Sequence, residues 1–337
     1  MVIISHLSTI ILPMAITFLI FTASNTYGSR GLDVWIDADP ACGLRAIDDV
    51  DDCWALLYAI KSKKINVKGL STVFGNTSIE EAHQTAALFL DKIFEDGLEI
   101  PVLHKGSGSP VEKNRLVIEN DATVALYSEL QKGSMSIIAL GPLTNLAILI
   151  QSHPEIARNI SSIVAVAGSR KNQRRFFIGN SNLIHFHDLN FNKDPIAFDI
   201  ILNSDIPLTL VPFEVATKIT VTPFDLQNMS EGGKSAKWLA DSSKGWIDFW
   251  MNSFGTEGFY PFDCLAVGYQ IMPNEYQCEM MPIKVEWHYS TFANRNQLQV
   301  SHELHHGRFV NYCYNVSRTM KNSLVSMIGS NHGVNVR

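Results

Sequence analysis

The sequence predicts an α/β fold, a mostly parallel sheet with helices on both faces and a small antiparallel extension towards its end. Three observations carry this reading. Short β-rich apolar runs alternate with segments of helical period, the order that builds a sheet covered on both sides. No internal repeat or low-complexity linker interrupts the chain, which assigns residues 32–337 to one domain. Polar residues gather where strands end and helices begin, the side of an open α/β sheet on which ligands collect.

The elements follow in order. Leu7 to Ala23 is nearly continuously apolar and precedes Ser24-Asn25-Thr26, so residues 1–23 read as a secretory signal peptide. Its flank holds His6 but no Lys or Arg, and its 17 residues are short for a membrane span. The expected location is secreted or periplasmic, with no stable span in the mature form and a membrane anchor if the segment is retained. Val34 to Ile36 is a strand, and Asp51 to Ile60 has helical spacing with Trp54, Leu57 and Ile60 on one side. Ile65 to Val73 is a second strand, ending before Gly75-Asn76. Ser78 caps a helix to Phe94, with Glu80 and Glu81 in its first turn. Ile100 to Val102 and Met135 to Leu140 are further strands, and Gly141-Pro142-Leu143-Thr144-Asn145 opens a helix to about Leu149. Ile160 to Ala167 is a strand, Pro195 to Leu202 a helix and Leu208 to Pro212 a strand. Beyond Pro273 the alternation of Val285, Trp287 and Tyr289, and later Phe309 to Val316, predicts antiparallel strands before a helix from Ser317 to about Ile328.

Bulk numbers narrow the function. With 27 basic and 33 acidic residues the net charge is -6, which argues against a nucleic-acid partner. Arg170-Lys171 and Arg174-Arg175 read as a solvated loop. The five cysteines have no metal spacing and predict no disulfide framework, one incidental bridge aside.

Six aspartates lie between Asp37 and Asp52. So many like charges raise one another's pKa, and a hard cation with a taste for oxygen, such as Ca²⁺, removes that cost. Asp39, Asp51 and Asp52 are the strongest site candidates. Asp37 reads as a support for its loop, Asp48 and Asp49 as solvated charges, and Asn145 as a stabiliser of its own turn.

Asp39-Pro40, then Asp51-Asp52 and CWALLYAI, resembles the signature of the inosine-uridine-preferring nucleoside hydrolases, with a longer loop, ACGLRAIDDV, between its halves. TVFGNTSIEEA, PVLHKGSGSP, ALGPLTNLA, HDLNFNKDP and Phe262-Asp263-Cys264-Leu265-Ala266-Val267 resemble further blocks of that family, in family order. The resemblance implies a nucleoside hydrolase-like, Rossmann-like domain. It also implies Ca²⁺-dependent hydrolysis of the N-glycosidic bond of a ribonucleoside, and a dimer or tetramer. Carried over residue by residue, it makes Asp39, Asp52, Asp263 and the carbonyl of Leu140 the metal ligands, and Asp39 also the general base. Asp51 would grip the ribose hydroxyls, Asn76 would lie beside metal and sugar, and Asp188 and Asn190 would contact the ribose. A further sugar-binding residue would be Asn180 or Asn182, between which spacing does not decide. Phe262 stands where many members have a His that assists the leaving base. It can stack on a base but donates no proton; Tyr260, His185, His187, His305 or His306 are the alternatives for an acid. The competing functions are a nucleoside- or ribose-binding protein with weak or no turnover, and a hydrolase of another N-ribosyl compound.

Overall fold

The computed structural model describes residues 31–170, 176–179, 181–186, 188–287 and 296–330. The leader at residues 1–23 lies outside these, as do Lys171, Arg174 and Arg175. Strand β1 (Leu32–Ala38) leads through a loop to α1 (Asp51–Lys61), then β2 (Ile65–Thr72), α2 (Ile79–Phe94), β3 (Leu103–Lys105), α3 (Asp121–Lys132), β4 (Met135–Ala139), α4 (Thr144–Ser152) and β5 (Ile160–Ala165). The short β6 (Ser169–Arg170) precedes a hairpin of β7 (Phe176–Ile178) and β8 (Ser181–Phe186). Next come α5 (Leu189–Lys193), α6 (Pro195–Leu202), β9 (Leu208–Leu210), α7 (Phe213–Ala216), α8 (Pro223–Met229), α9 (Lys234–Phe254) and α10 (Phe262–Ile271). The described chain ends in β10 (Tyr276–Glu286), β11 (Gln297–Val300), β12 (Arg308–Val316) and α11 (Thr319–Gly329).

The main sheet runs β3-β2-β1-β4-β5-β9-β12-β10-β11-β6. Pairing is parallel from β3 to β12, and β10 then pairs antiparallel with both β12 and β11. This is the expected parallel sheet with its antiparallel extension. Strand periodicity sorts β1 between two cores. Val34 and Ile36 pack under α1, α2 and α8 to α11, whereas Trp35 packs under α3, α4 and α6. Both faces are therefore covered, and the carboxyl ends of the central strands are left to build a site.

Local chemistry sets the helix starts. Ser78 caps α2 by accepting the Glu81 N–H, and Asn120 and Thr123 form a reciprocal capping box on α3. Asp194 caps α6 ahead of Pro195, whose missing N–H costs nothing in a first turn. The third strand forms three residues later than the Ile100 to Val102 expected. The Val102 carbonyl still accepts from the Leu70 N–H at 3.0 Å, but the register-paired residues are Leu103 to Lys105.

The cysteine expectation is corrected. Two disulfides form among the described residues, Cys42–Cys53 and Cys278–Cys313, while Cys264 is free and buried. Sequence spacing carries no sign of the second bridge, because only the β10/β12 register sets Cys278 opposite Cys313. At the far end of α1 the buried Lys61 donates from Nζ to the carbonyls of Gly232, Ile328 and Ser330 at 3.0, 2.7 and 2.7 Å. Burial lowers its pKa to about 8. Among the described residues no helix is long and apolar enough to cross a membrane.

Candidate active site

Strand β1 delivers two buried carboxylates at its carboxyl end. Asp37 accepts from Ser71 Oγ at 2.5 Å and Asn145 Nδ2 at 2.8 Å, and its other oxygen is buried with no protein donor among the described residues. Asn145 also donates to the Thr72 carbonyl and accepts from the Ser107 N–H. It therefore ties together strand ends distant in sequence rather than its own turn. Support of its own loop through backbone amides was expected of Asp37; its donors are instead side chains of β2 and α4, so it braces neighbouring strand ends. Asp39 accepts the Asn76 N–H at 2.7 Å, and its own N–H donates to Asp52 Oδ1 at 3.1 Å. Two glycines make room for its carboxylate. A Cβ on Gly141 would lie 2.8 Å from Asp39 Oδ1, and one on Gly75 would collide with Oδ2.

The first turn of α1 contributes Asp51 and Asp52, where a helix N-terminus favours negative charge. The first turn of α10 contributes Asp263, whose N–H donates to Asp51 Oδ2 at 3.3 Å. Pro261, not Asp263, occupies the cap of that helix. Carboxylate oxygens of Asp51, Asp52 and Asp263 lie within 4.8 Å of one another, all three residues buried. Asn76 Nδ2 reaches Asp52 Oδ2 at 3.3 Å. The Leu140 carbonyl, at the end of β4, accepts from Asn190 Nδ2 at 2.5 Å.

Burial dominates the electrostatics. It raises Asp37 to about 6, against the hydrogen bonds from Ser71 and Asn145. It raises Asp39 to about 7, helped by the charges of Asp49 and Asp37. Asp51 also rises to about 7 through burial and then the neighbouring Asp52. Asp52 and Asp263 stand well above the ordinary carboxylate range for the same two reasons. Protein donors alone leave these groups reluctant to ionise. The available donor atoms are all oxygen, the preference of a hard divalent cation such as Ca²⁺, and its charge would reverse the local pKa order. The residues present fit that group.

Above the carboxylates lies a cavity of about 200 Å³. Asp49, Asp51, Asn76, Asp188, Asn190 and Asp263 give it polar lining, and Phe213, Trp246, Trp250 and Phe262 form an aromatic wall. Asp188 caps α5 through the Phe191 N–H at 3.0 Å and accepts the Gly168 N–H at 2.6 Å. Burial raises it to about 6. Phe262 stacks on Phe213 with ring centroids 5.4 Å apart.

The structure thus gathers Asp39, Asp51, Asp52, Asn76, Leu140, Asp188, Asn190, Phe262 and Asp263 in one place. Asn180 and His187 lie outside the described residues, as do the side chains of Asn182 and His185 on β8. His305 and His306 are exposed in the turn before β12, and the half-buried Tyr260 packs its ring on Trp250. Four contributors were not anticipated, among them Phe213 on the short α7. Asp49 lines the cavity instead of facing solvent, while Asp48 does pair with Arg45 on the outside at 3.0 Å. Trp246 and Trp250 come from α9, where their spacing of four residues on an amphipathic helix was the available signal.

A family model described as inosine-uridine preferring nucleoside hydrolase matches residues 34–323. The uridine nucleosidase 1 of Arabidopsis thaliana is 28% identical over 274 residues, 74% of this chain and 77% of that protein. A probable uridine nucleosidase 1 from Oryza sativa subsp. japonica is 27% identical over 277 residues, 74% of this chain and 80% of its own. A solved purine-preferring ribonucleoside hydrolase from Gardnerella vaginalis shares the fold, with a TM-score of 0.71 at 20% identity over 88% of this chain and 98% of that one. With the family model running from the first strand into the last helix, over a floor of converging carboxylates, this chain belongs to the inosine-uridine preferring nucleoside hydrolase family and is a glycosidase.

Proposed function

We propose that the protein hydrolyses the N-glycosidic bond of ribonucleosides to free base and ribose, with one Ca²⁺ held by Asp39, Asp52, Asp263 and the Leu140 carbonyl. The observation that carries this is the convergence of Asp51, Asp52 and Asp263 beneath a cavity with an aromatic wall, with Asp39 joined to Asp52 through its N–H. Bound Ca²⁺ supplies a positive charge that keeps the carboxylates ionised and acidifies water at the site. Asp39, steadied by the Asn76 N–H, orients the attacking water and takes its proton as general base. Asp51 accepts from the ribose hydroxyls, and a charge-assisted hydrogen bond of this kind discriminates against sugars that lack them. Asn76, Asp188 and Asn190 complete the sugar contacts, with Asn180 or Asn182 as a further one. As the bond to the base stretches, positive charge develops on the ribose, and the surrounding carboxylates stabilise it where it forms. Phe262 and the other aromatic rings hold the base by contact and stacking.

Uridine heads the test panel because two relatives are uridine nucleosidases by name, followed by inosine, adenosine, cytidine and other N-ribosyl compounds. Free ribose is measured with Ca²⁺ and after chelation. Calcium-dependent release from at least one ribonucleoside is expected. Tight nucleoside binding by calorimetry without ribose from any of them overturns the proposal in favour of a binding protein.

The proposed destination is secreted or periplasmic, the mature chain being one domain from residue 32 onwards. Two disulfides support an oxidising compartment. Amino-terminal sequencing of the exported protein tests this, with a start after Ala23 expected.

A further inference from the structure

The longer loop between β1 and α1 brings an extra carboxylate into the cavity. The Cys42–Cys53 disulfide, closing 11 residues of chain, fastens this loop to α1 one residue beyond Asp52. Its outer side leans on α9. Gly43 has φ +78°, and a Cβ there would come within 2.8 Å of the Trp238 ring. Ala46 sits so close to Gly245 that any side chain at Gly245 would meet the Ala46 carbonyl. Arg45 and Asp48 pair on the solvent side. The loop then turns inward at Asp49, which lines the cavity and accepts the Asp51 N–H at 3.3 Å.

We propose that Asp49 is a specificity-determining sugar contact: one of its oxygens accepts from a ribose hydroxyl beside the one held by Asp51, and the disulfide-fastened loop keeps it there. This rests on the reading of the cavity as a ribonucleoside site. Two neighbouring hydroxyls of a cis-diol present two donors, and the adjacent acidic side chains of Asp49 and Asp51 offer each its own acceptor. Asp49 accepts the backbone N–H groups of Asp51 and Val50, and its carboxyl also meets that of Asp51; an ionised carboxylate has about four acceptor positions, so capacity remains towards the cavity.

The test compares wild type, Asp49→Asn and Asp49→Ala on a hydrolysed ribonucleoside and its 2′-deoxy and 3′-deoxy analogues. Asp49→Ala is expected to raise KM for the ribonucleoside about ten- to a hundredfold, the weight of one hydrogen bond to a charged group. For the analogue lacking the contacted hydroxyl the change should stay within about twofold, since no hydrogen bond remains to be lost. Asp49→Asn, which keeps an oxygen in place, should fall between. Opening the loop with the Cys42→Ser, Cys53→Ser double variant should reproduce the hydroxyl-dependent loss in weaker form. An equal loss on all three substrates, or no loss, overturns the assignment. A wild type that releases no ribose defeats the hydrolase reading instead. Calorimetry of the same three ligands on wild type and Asp49→Ala then decides for Asp49, by the same hydroxyl-dependent difference or its absence.

Discussion

Asp39 has one oxygen fixed by the Asn76 N–H and both sides of its carboxylate walled by glycine. Asp39→Asn keeps this shape but removes the basic oxygen and a ligand charge. Turnover is expected to drop by about 10²- to 10⁴-fold, the usual weight of a positioned base, with the melting temperature near wild type in chelator at about pH 5, where Asp39 is protonated. Near-normal turnover would remove Asp39 from the base role. Phe262, stacked on Phe213 at the cavity wall, has a different signature. Phe262→Ala should weaken base binding by about 1–3 kcal/mol through lost aromatic contact, while the affinity for free ribose stays unchanged; an unchanged nucleoside affinity would place Phe262 outside the base site. Asp39, Asp52 and Asp263 were legible because motif order fixes them beside strand ends and helix starts. Asp49 was not, because a loop of ten residues does not reveal which of its two adjacent aspartates turns inward.

The elements show the same division. Pro195 to Leu202 forms the expected helix because Asp194 and Pro195 mark its start and four buried apolar residues its inner face. Helix α9, the longest in the described chain, went unassigned. Its Lys, Ser and Gly residues dilute the apolar stripe, so that the spacing of Trp246 and Trp250 is a weak signal and packing against α2, α1 and the cavity is what marks them as wall residues. The antiparallel extension was legible from alternation, its covalent tie was not. That tie spans 35 residues and joins β10 to β12. The Cys278→Ser, Cys313→Ser double variant should lose about 2–4 kcal/mol in denaturant unfolding, with KM unchanged because neither cysteine lines the cavity. An unfolding midpoint equal to wild type would show that the strand pairing alone suffices.

At the scale of the whole molecule, the buried carboxylates link stability to pH and, through the proposed cation site, to calcium. In the metal-free protein Asp37 and Asp188 are raised to about 6, and Asp39 and Asp51 to about 7, from an ordinary value of 3.8. Between these limits the folded chain binds more protons than the unfolded chain, so stability falls as pH rises from about 4 to 7 and stays low above that. Calcium held at the proposed site would bind the ionised form and should restore what is lost. Calorimetric melting with a chelator is therefore expected to give a lower midpoint at pH 8 than at pH 5, and excess Ca²⁺ should raise the midpoint far more at pH 8. A calcium effect of equal size at both pH values would contradict a site built from these carboxylates.

Lys61 ties this centre to a remote part of the chain. The helix that begins with Asp51 and Asp52 finishes on an ammonium group whose acceptors are carbonyls of residues 232, 328 and 330. Trimming the chain before Ile328 would remove two of its three carbonyl acceptors and pull on the opposite end of the rod bearing the two acidic residues. Crystallisation trials and fusion designs should accordingly preserve everything through Ser330, since shortening there threatens hydrolysis from the far side of the protein.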